Sequence, residues 1–249
     1  MSLENKISQW IKDYCEANNF KCVIGVSGGI DSALVSTLCA MTGIETHLIT
    51  MPILQKPEQL DLAHAHMKSL SDRFSNVKCY DKDLTQTFLS LKNCLSEFDN
   101  DLGWANSRSR LRMITLYQLA THVGGLVIGT GNKVEDFGVG FFTKYGDGGV
   151  DLSPIADLSK TEVRKLAKDV GVIESILKAK PTDGLWDDDR NDEEQIGASY
   201  EELEWAMSYA GDLDTLTSRE QEVIAIYQGF HQRNKHKVLP IPIFLKSSK

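Results

Sequence analysis

Ser27, Gly28, Gly29, Ile30, Asp31 and Ser32 stand between an apolar run and an amphipathic one, and their types suit the binding of a phosphate chain. Two adjacent glycines let backbone amides approach an anion with no Cβ in the way. A helix starting just after them points its first N–H groups, and the positive end of its dipole, at the same place. The hydroxyls of Ser27 and Ser32 add donors, and the Asp31 carboxylate can hold a magnesium ion beside the phosphates. No G-x-x-x-x-G-K-[ST] occurs in the chain and no lysine follows these glycines, so the commoner ATP loop is excluded. Without a ligand the same residues would be only a Gly-rich turn from strand to helix.

A second candidate site follows LVIGTG at 126–131, a buried strand ending in small residues, after which come Asn132, Lys133, Glu135 and Asp136. Two basic clusters, at 108–112 and 231–237, can contact phosphates or lie as solvated helix faces, and charge alone does not choose between them. Lys144 sits in a loop with Gly146, Gly148 and Gly149, a composition that suggests backbone packed close to a ligand. His64 and His66, two apart on an expected helix, face different directions and make no metal pair.

The elements that must position these residues alternate. Strands are expected at 21–26, 46–51, 77–80 and 126–130, and helices at 3–18, 30–41, 58–73, 84–98 and 106–122. That order implies a parallel sheet covered on both faces, with a ligand at the carboxyl ends of the strands, where the loop at 27–32 also lies. Beyond residue 130 the pattern becomes a Gly-rich loop and then helical. Ser159 with Glu162, and Thr217 with Glu220, are capping-box signatures that open helices. The acidic, apolar-poor segment 181–197 reads as a long loop, either disordered or a lid over substrate.

The 249 residues are 41% hydrophobic and 25% charged, enough for one α/β domain with a helical extension. A formal net charge of −8 argues against broad nucleic-acid binding, and a small anionic substrate remains compatible with it. No apolar run approaches the ~20 residues a membrane span needs. The amino-terminal residues are polar, unlike a signal peptide, so a cytoplasmic protein is expected. The five cysteines, at 15, 22, 39, 79 and 94, form no C-x-x-C pair, so neither a disulfide nor a zinc site is expected.

SGGIDS at 27–32 resembles the PP-loop of the ATP pyrophosphatases, which bind the β,γ-pyrophosphate of ATP there and transfer AMP to an acceptor. A more specific resemblance covers most of the chain. SGGIDS, RSRLRM at 108–113, GTGNKVED at 129–136, GFFTKYGDGG at 140–149, KPTDGLW at 180–186 and the pair His236 and Lys237 occur in the order found in the ammonia-dependent NAD synthetases. RSRLRM departs from a more usual K-A-R-x-R-M, with its paired arginines kept.

The resemblance implies a doubly wound parallel sheet of the adenine nucleotide alpha hydrolase type, Rossmann-like, with a helical carboxy-terminal extension. It implies one NAD synthetase domain over 1–249, its α/β core about 20–170 and its helical part about 171–249, without a glutaminase domain. ATP contacts fall to Ser27, Gly28, Gly29, Ile30, Asp31, Ser32, Thr130, Lys160 and Thr182, and deamido-NAD contacts to Arg110, Lys144, Asp151, His236 and Lys237. Asp31, Lys160 and Glu135 carry catalysis. Mg²⁺ is expected on Asp31 and on Glu135 or Asp136: counting forward from Thr130 selects Glu135, counting back from Phe141 selects Asp136, and Glu135 is favoured. The implied substrates are ATP, deamido-NAD and ammonia, with an acyl-adenylate between them, and the implied assembly is a homodimer.

Overall fold

The computed structural model describes residues 1–55, 57–179 and 192–246. The chain begins with α1 (Leu3–Asn18), β1 (Lys21–Gly25), α2 (Ile30–Met41), β2 (Thr46–Thr50), α3 (Pro57–Arg73) and β3 (Val77–Asp81). It continues through α4 (Thr85–Cys94), α5 (Asp101–Val123), β4 (Gly125–Val127), a π-helical turn at Lys133–Val139, α6 (Lys160–Asp169) and α7 (Glu174–Leu177). Three further helices, α8 (Asp192–Ile196), α9 (Tyr200–Ser208) and α10 (Ser218–Val238), close the described chain.

The strands form one parallel sheet in the order β3-β2-β1-β4. Central strands of a parallel sheet are buried on both faces, and β2 is buried at every position while the edge strand β3 is largely exposed. Alternate residues of β1 feed different cores. Cys22 and Ile24 join a cluster with Ile11 of α1, Leu34 and Leu38 of α2, Leu70 of α3 and Val163 of α6. Val23 joins Ala120, Leu116 and Tyr117 of α5 on the other face. Helices therefore cover both sides, as the alternating pattern predicts. A separate core of Val134, Val139, Tyr200, Leu203, Val223 and Ile224 joins α9 and α10 to the π-helical turn.

Several boundaries differ from the sequence expectation for local reasons. The strand expected over 126–130 ends at Val127, because Ile128 leaves the pairing and bridges to Leu152, and Gly129 N–H donates to the Leu152 carbonyl at 2.7 Å. The helix expected from 106 starts at Asp101, since the Asn100 side chain accepts from the Gly103 amide and caps it five residues early. The helix expected over 84–98 stops at Cys94 and a 3₁₀ turn at Ser96–Phe98 follows. Within the expected loop 181–197, Asp192–Ile196 is helical, Gly197 ends it in a turn, and 181–191 lie outside the described residues. Both expected capping boxes form, and a third, Ser199 with Glu202, opens α9. All five cysteines are free.

Candidate active site

The strand order reverses between β1 and β4: successive strands step outward from β1 through β2 to β3, and then β4 pairs on the other side of β1. A crevice opens at the carboxyl ends of strands at such a switch point, and both conspicuous loops of the sequence begin there. A cavity of about 260 Å³ occupies this place, lined among others by Ser27, Asp31, Thr130, Glu135 and Lys160.

On the β1 side the chain turns through Gly28, at a φ of +89°, where a side chain would strain the backbone, and enters α2 from Gly29. The two serines brace the loop. Ser27 Oγ and Ser32 Oγ lie 3.1 Å apart, the Gly29 amide donates to Ser27 Oγ at 3.2 Å, and Ser32 Oγ donates to the Gly29 carbonyl at 3.0 Å. No side chain caps the start of α2, so its first amides remain free to meet an anion.

On the β4 side the residues after Gly131 wind into the π-helical turn. Asn132 caps it, its Oδ1 accepting from the amides of Val134 and Glu135 at 3.0 Å. A π turn absorbs one residue more than an α-helix over the same span. Glu135 is the acid of the turn that shares the Lys160 ammonium with Asp31, while Asp136 lines the same cavity.

Lys160 joins the two sides. It is the first residue of α6, it is 2% exposed, and its Nζ donates to Asp31 Oδ2 at 2.6 Å and to Glu135 Oε1 at 2.8 Å. Asn132 Nδ2 donates to Asp31 Oδ1 at 3.1 Å, and Tyr200 OH to Glu135 Oε1 at 2.5 Å. Burial alone would discharge Lys160, but the two carboxylates beside it outweigh that and raise its pKa. One ammonium cannot satisfy two buried acids equally. Burial and the Glu135 charge keep Asp31 above the ordinary carboxylate value against the pull of Lys160, whereas Glu135, also penalised by burial, is held below it by Lys160, Tyr200 and Asn132.

Two more acids crowd the same cavity. Asp136 lines the cavity against Gly131, and burial together with Asp147, Glu135 and Asp31 pushes its carboxyl well up. Asp147 is also raised by burial, although Ser109 Oγ donates to it at 2.7 Å and the Thr143 amide at 2.9 Å. Among the described residues no three metal-ligating side chains converge into a ready cage. That suits magnesium, which is held by one or two carboxylates together with phosphates and water.

Most of the remaining expected site residues form a second group. Arg110 Nε donates to the Lys144 carbonyl at 3.3 Å, Lys144 Nζ to the His236 carbonyl at 2.7 Å, and Lys237 Nζ to the carbonyls of Gly140 and Phe142 at 2.8 Å each. The structure thus joins two sequence-distant motifs through the end of α10. Asp151 stands apart at the β4 edge, accepting from Tyr117 OH at 3.0 Å and from the Val127 amide at 2.9 Å. Thr182 lies outside the described residues. The glycines after Lys144 are required by packing on the protein itself, since a Cβ on Gly146 would overlap Ser109 Oγ.

Sequence reasoning named Asn132 without a role and missed Tyr200, Ser109 and Asp147. Asn132 was detectable as a cap, because Asn before a turn offers its side chain to the next amides. Tyr200 was not, because its partner lies 65 positions earlier.

The family model described as NAD synthase matches residues 3–240. The NH(3)-dependent NAD(+) synthetase of Finegoldia magna is 38% identical over 200 residues, 80% of this chain and 80% of that one. Among solved structures, NMN synthetase from Francisella tularensis superposes with a TM-score of 0.86 at 29% identity, covering 97% of this chain and 98% of that one. The NH3-dependent NAD synthetase from Campylobacter jejuni superposes with a TM-score of 0.78 at 27% identity, with 98% of both chains covered. The chain belongs to the NAD synthase family.

Proposed function

We propose that the protein makes NAD by ATP-dependent amidation of deamido-NAD with free ammonia. The observation that carries this reading is the Lys160 ammonium held between Asp31 and Glu135 at the end of an uncapped helix-start loop, an arrangement suited to a polyphosphate and its cation. A carboxylate is not amidated directly at neutral pH, because hydroxide is a poor leaving group. In the proposed first step a nicotinate oxygen attacks the α-phosphorus of ATP, that P–O bond forms, the bond to the β-phosphate oxygen breaks, and pyrophosphate leaves into the loop at 27–32. Ammonia then attacks the carbonyl carbon of the acyl-adenylate, the C–N bond forms, a proton is lost and AMP departs.

The residues have separable tasks. Amides of Gly28, Gly29 and Ile30 with the hydroxyls of Ser27 and Ser32 hold the pyrophosphate, Lys160 offsets charge developing at the α-phosphate, and Thr130 and Thr182 contact ATP. Asp31 and Glu135 would hold Mg²⁺, which supplies charge neutralisation at the phosphates. The donor set fits it, since two carboxylates share one ammonium and leave net negative charge. Arg110, Lys144, His236 and Lys237 receive the diphosphate of deamido-NAD, and Asp151 a ribose diol.

A homodimer is supported by the exposed apolar side chains Leu102 and Ile114 on α5, 60% and 59% exposed, with Ile243 and Phe244 after α10 at 77% and 92%. Sedimentation at micromolar concentration is expected to give twice the chain mass. Five free cysteines fit the reducing cytoplasm. Among the described residues no helix is long and apolar enough to cross a membrane.

The higher TM-score with an NMN synthetase favours one alternative acceptor, nicotinic acid mononucleotide. A mononucleotide offers one phosphate to Arg110, Lys144 and Lys237, and a dinucleotide offers two. The test supplies ATP, Mg²⁺ and ammonium with either acceptor, replaces ammonium by glutamine in parallel, and follows AMP and product by mass spectrometry. NAD formed with ammonium alone is expected. Product from the mononucleotide only would reassign the acceptor, and no AMP with any acceptor would remove the enzymatic reading.

A further inference from the structure

Tyr200 lies outside every motif that marks the site, yet its phenol is fully buried, 0% exposed, and ends on Glu135. Glu135 Oε1 accepts from two donors, Lys160 Nζ at 2.8 Å and Tyr200 OH at 2.5 Å. The phenol must be the donor, because an ionised carboxylate only accepts. The Tyr200 ring is itself gripped, with Lys160 Nζ 4.9 Å and the Arg164 guanidinium 5.8 Å from its centroid. Its backbone is fixed too: Tyr200 N–H donates to Glu193 of α8 at 2.9 Å, and Ser199 before it caps α9. One side chain thus touches both Glu135 and Lys160, and it comes from a helix whose core is separate from that of the sheet.

We infer that Tyr200 is a positioning residue for adenylation: its hydroxyl fixes the Glu135 carboxylate against Lys160, so that the carboxy-terminal helices complete a site built on the sheet. This rests on the assignment of Glu135 and Lys160 to the reaction. Without the hydroxyl Oε1 loses one of its two donors, and the carboxylate is held less firmly against Lys160 while ring packing is unchanged. A reacting-site group misplaced by about 1 Å can cost about 100-fold in rate.

The experiment is a four-chain cycle: native, Tyr200→Phe, Glu135→Gln and both together. Each is read by kcat and KM for NAD formation and, without deamido-NAD, by the Kd of Mg²⁺·ATP in calorimetry. Tyr200→Phe is expected to lower kcat about 10- to 100-fold and raise that Kd about threefold, with KM for deamido-NAD within about twofold. With Gln at position 135 the same substitution is expected to change nothing more. An equal loss in both backgrounds, or native kcat in Tyr200→Phe, overturns the inference. Native kcat in Glu135→Gln overturns the site assignment and Tyr200 with it, whereas loss in Glu135→Gln with none in Tyr200→Phe removes the role of Tyr200 alone. Should Tyr200→Phe fail to fold, Glu135→Asp keeps the charge but withdraws it from the phenol. It is expected to lose kcat to a similar degree, and native kcat there overturns the inference.

Discussion

The two halves of the site carry opposite charge, and each is left short of a partner. Around Lys160 the carboxyls of Asp31, Glu135, Asp136 and Asp147 crowd one cavity, with a single ammonium in contact with two of them. Around the end of α10 the cations Arg110, Lys144 and Lys237 are anchored on backbone carbonyls, the two lysines also lying over the rings of Tyr145 and Phe142, and among the described residues none has a carboxylate within ion-pair distance. Carbonyl dipoles orient a cation without cancelling its charge. The first half therefore attracts a metal ion with its phosphates, and the second a bare anion. The acidic half is buried and costly to maintain without its ligand, and perturbed groups gathered in a cleft mark function for that reason, whereas the basic half stays partly solvated.

Removing charge from the acidic half is the strongest way to break this comparison. Asp31→Asn leaves size and the Asn132 contact and removes the negative charge. It is expected to lower turnover about 10²- to 10³-fold with an unchanged circular dichroism spectrum. Withdrawing Mg²⁺ with a chelator is expected to abolish AMP release in the native enzyme. Turnover near the native level in Asp31→Asn would show that the acids serve only to hold Lys160.

A buried group belonging to neither half sharpens it. His66 is 1% exposed, with Ser36 Oγ 2.9 Å from its Nε2, and burial lowers its pKa to about 4. The unfolded chain binds a proton near pH 6.5 that the folded one refuses until about pH 4, so stability falls as pH drops through that window. Between about pH 7 and 5 the loss from this group is about 2 kcal/mol. Asp31, Asp136 and Asp147 act with the opposite sign: their raised pKa values mean the folded chain takes protons more readily, and their contribution grows as pH falls. Urea unfolding at both pH values is expected to show a smaller acid loss in His66→Gln than in the native chain. Equal losses would exclude His66 as the source.

The basic half predicts a gentler effect. Lys144→Gln is expected to raise KM for deamido-NAD about tenfold and leave kcat within about twofold, because a charge lost from a partly solvated binding group acts on ground state and transition state alike. The native KM is expected to rise with salt and the variant's to rise less. A kcat loss in Lys144→Gln would mean that this half also shapes the reacting geometry.

The sequence disclosed these two halves unequally, and the reason is physical. The loop at 27–32 and the parallel sheet were legible because each depends on neighbours in the chain: a strand, two glycines, a helix start. The Lys160 bridge joins residues 129 and 25 positions apart, and no local pattern encodes such a pairing. Only resemblance to a family brought Lys160 forward, and it did not bring Tyr200. Glu135 was favoured over Asp136 by counting, while the geometric reason for its orientation, a π-helical turn capped by Asn132, has no periodicity to read in seven residues. Helix ends followed the same rule. The capping boxes at Ser159 and Thr217 were visible in sequence, whereas the Asn100 cap was missed because no acid stands three residues after it to complete the pattern.

The smallest effect asks which structure actually holds the acidic half in order. Ser159 caps α6, accepting from the Glu162 amide while Glu162 returns a bond to the Ser159 amide at 2.9 Å, and Lys160 is the next residue. Two arrangements are conceivable: the cap fixes the helix end and the helix end fixes Lys160, or the two carboxylates fix Lys160 and the cap only stabilises the helix. Ser159→Ala separates them at a cost of about 1 kcal/mol in stability. The bonds from Lys160 to Asp31 and Glu135 are charge-assisted and buried, and the next residue, Thr161, is tied independently to Glu204 of α9 through its amide at 3.0 Å and its hydroxyl at 2.9 Å. The expected outcome is a melting temperature lowered by about 3 °C and a kcat within about threefold of native. A kcat loss approaching that of Asp31→Asn would place the order of the acidic half in the end of α6 rather than in its own charges.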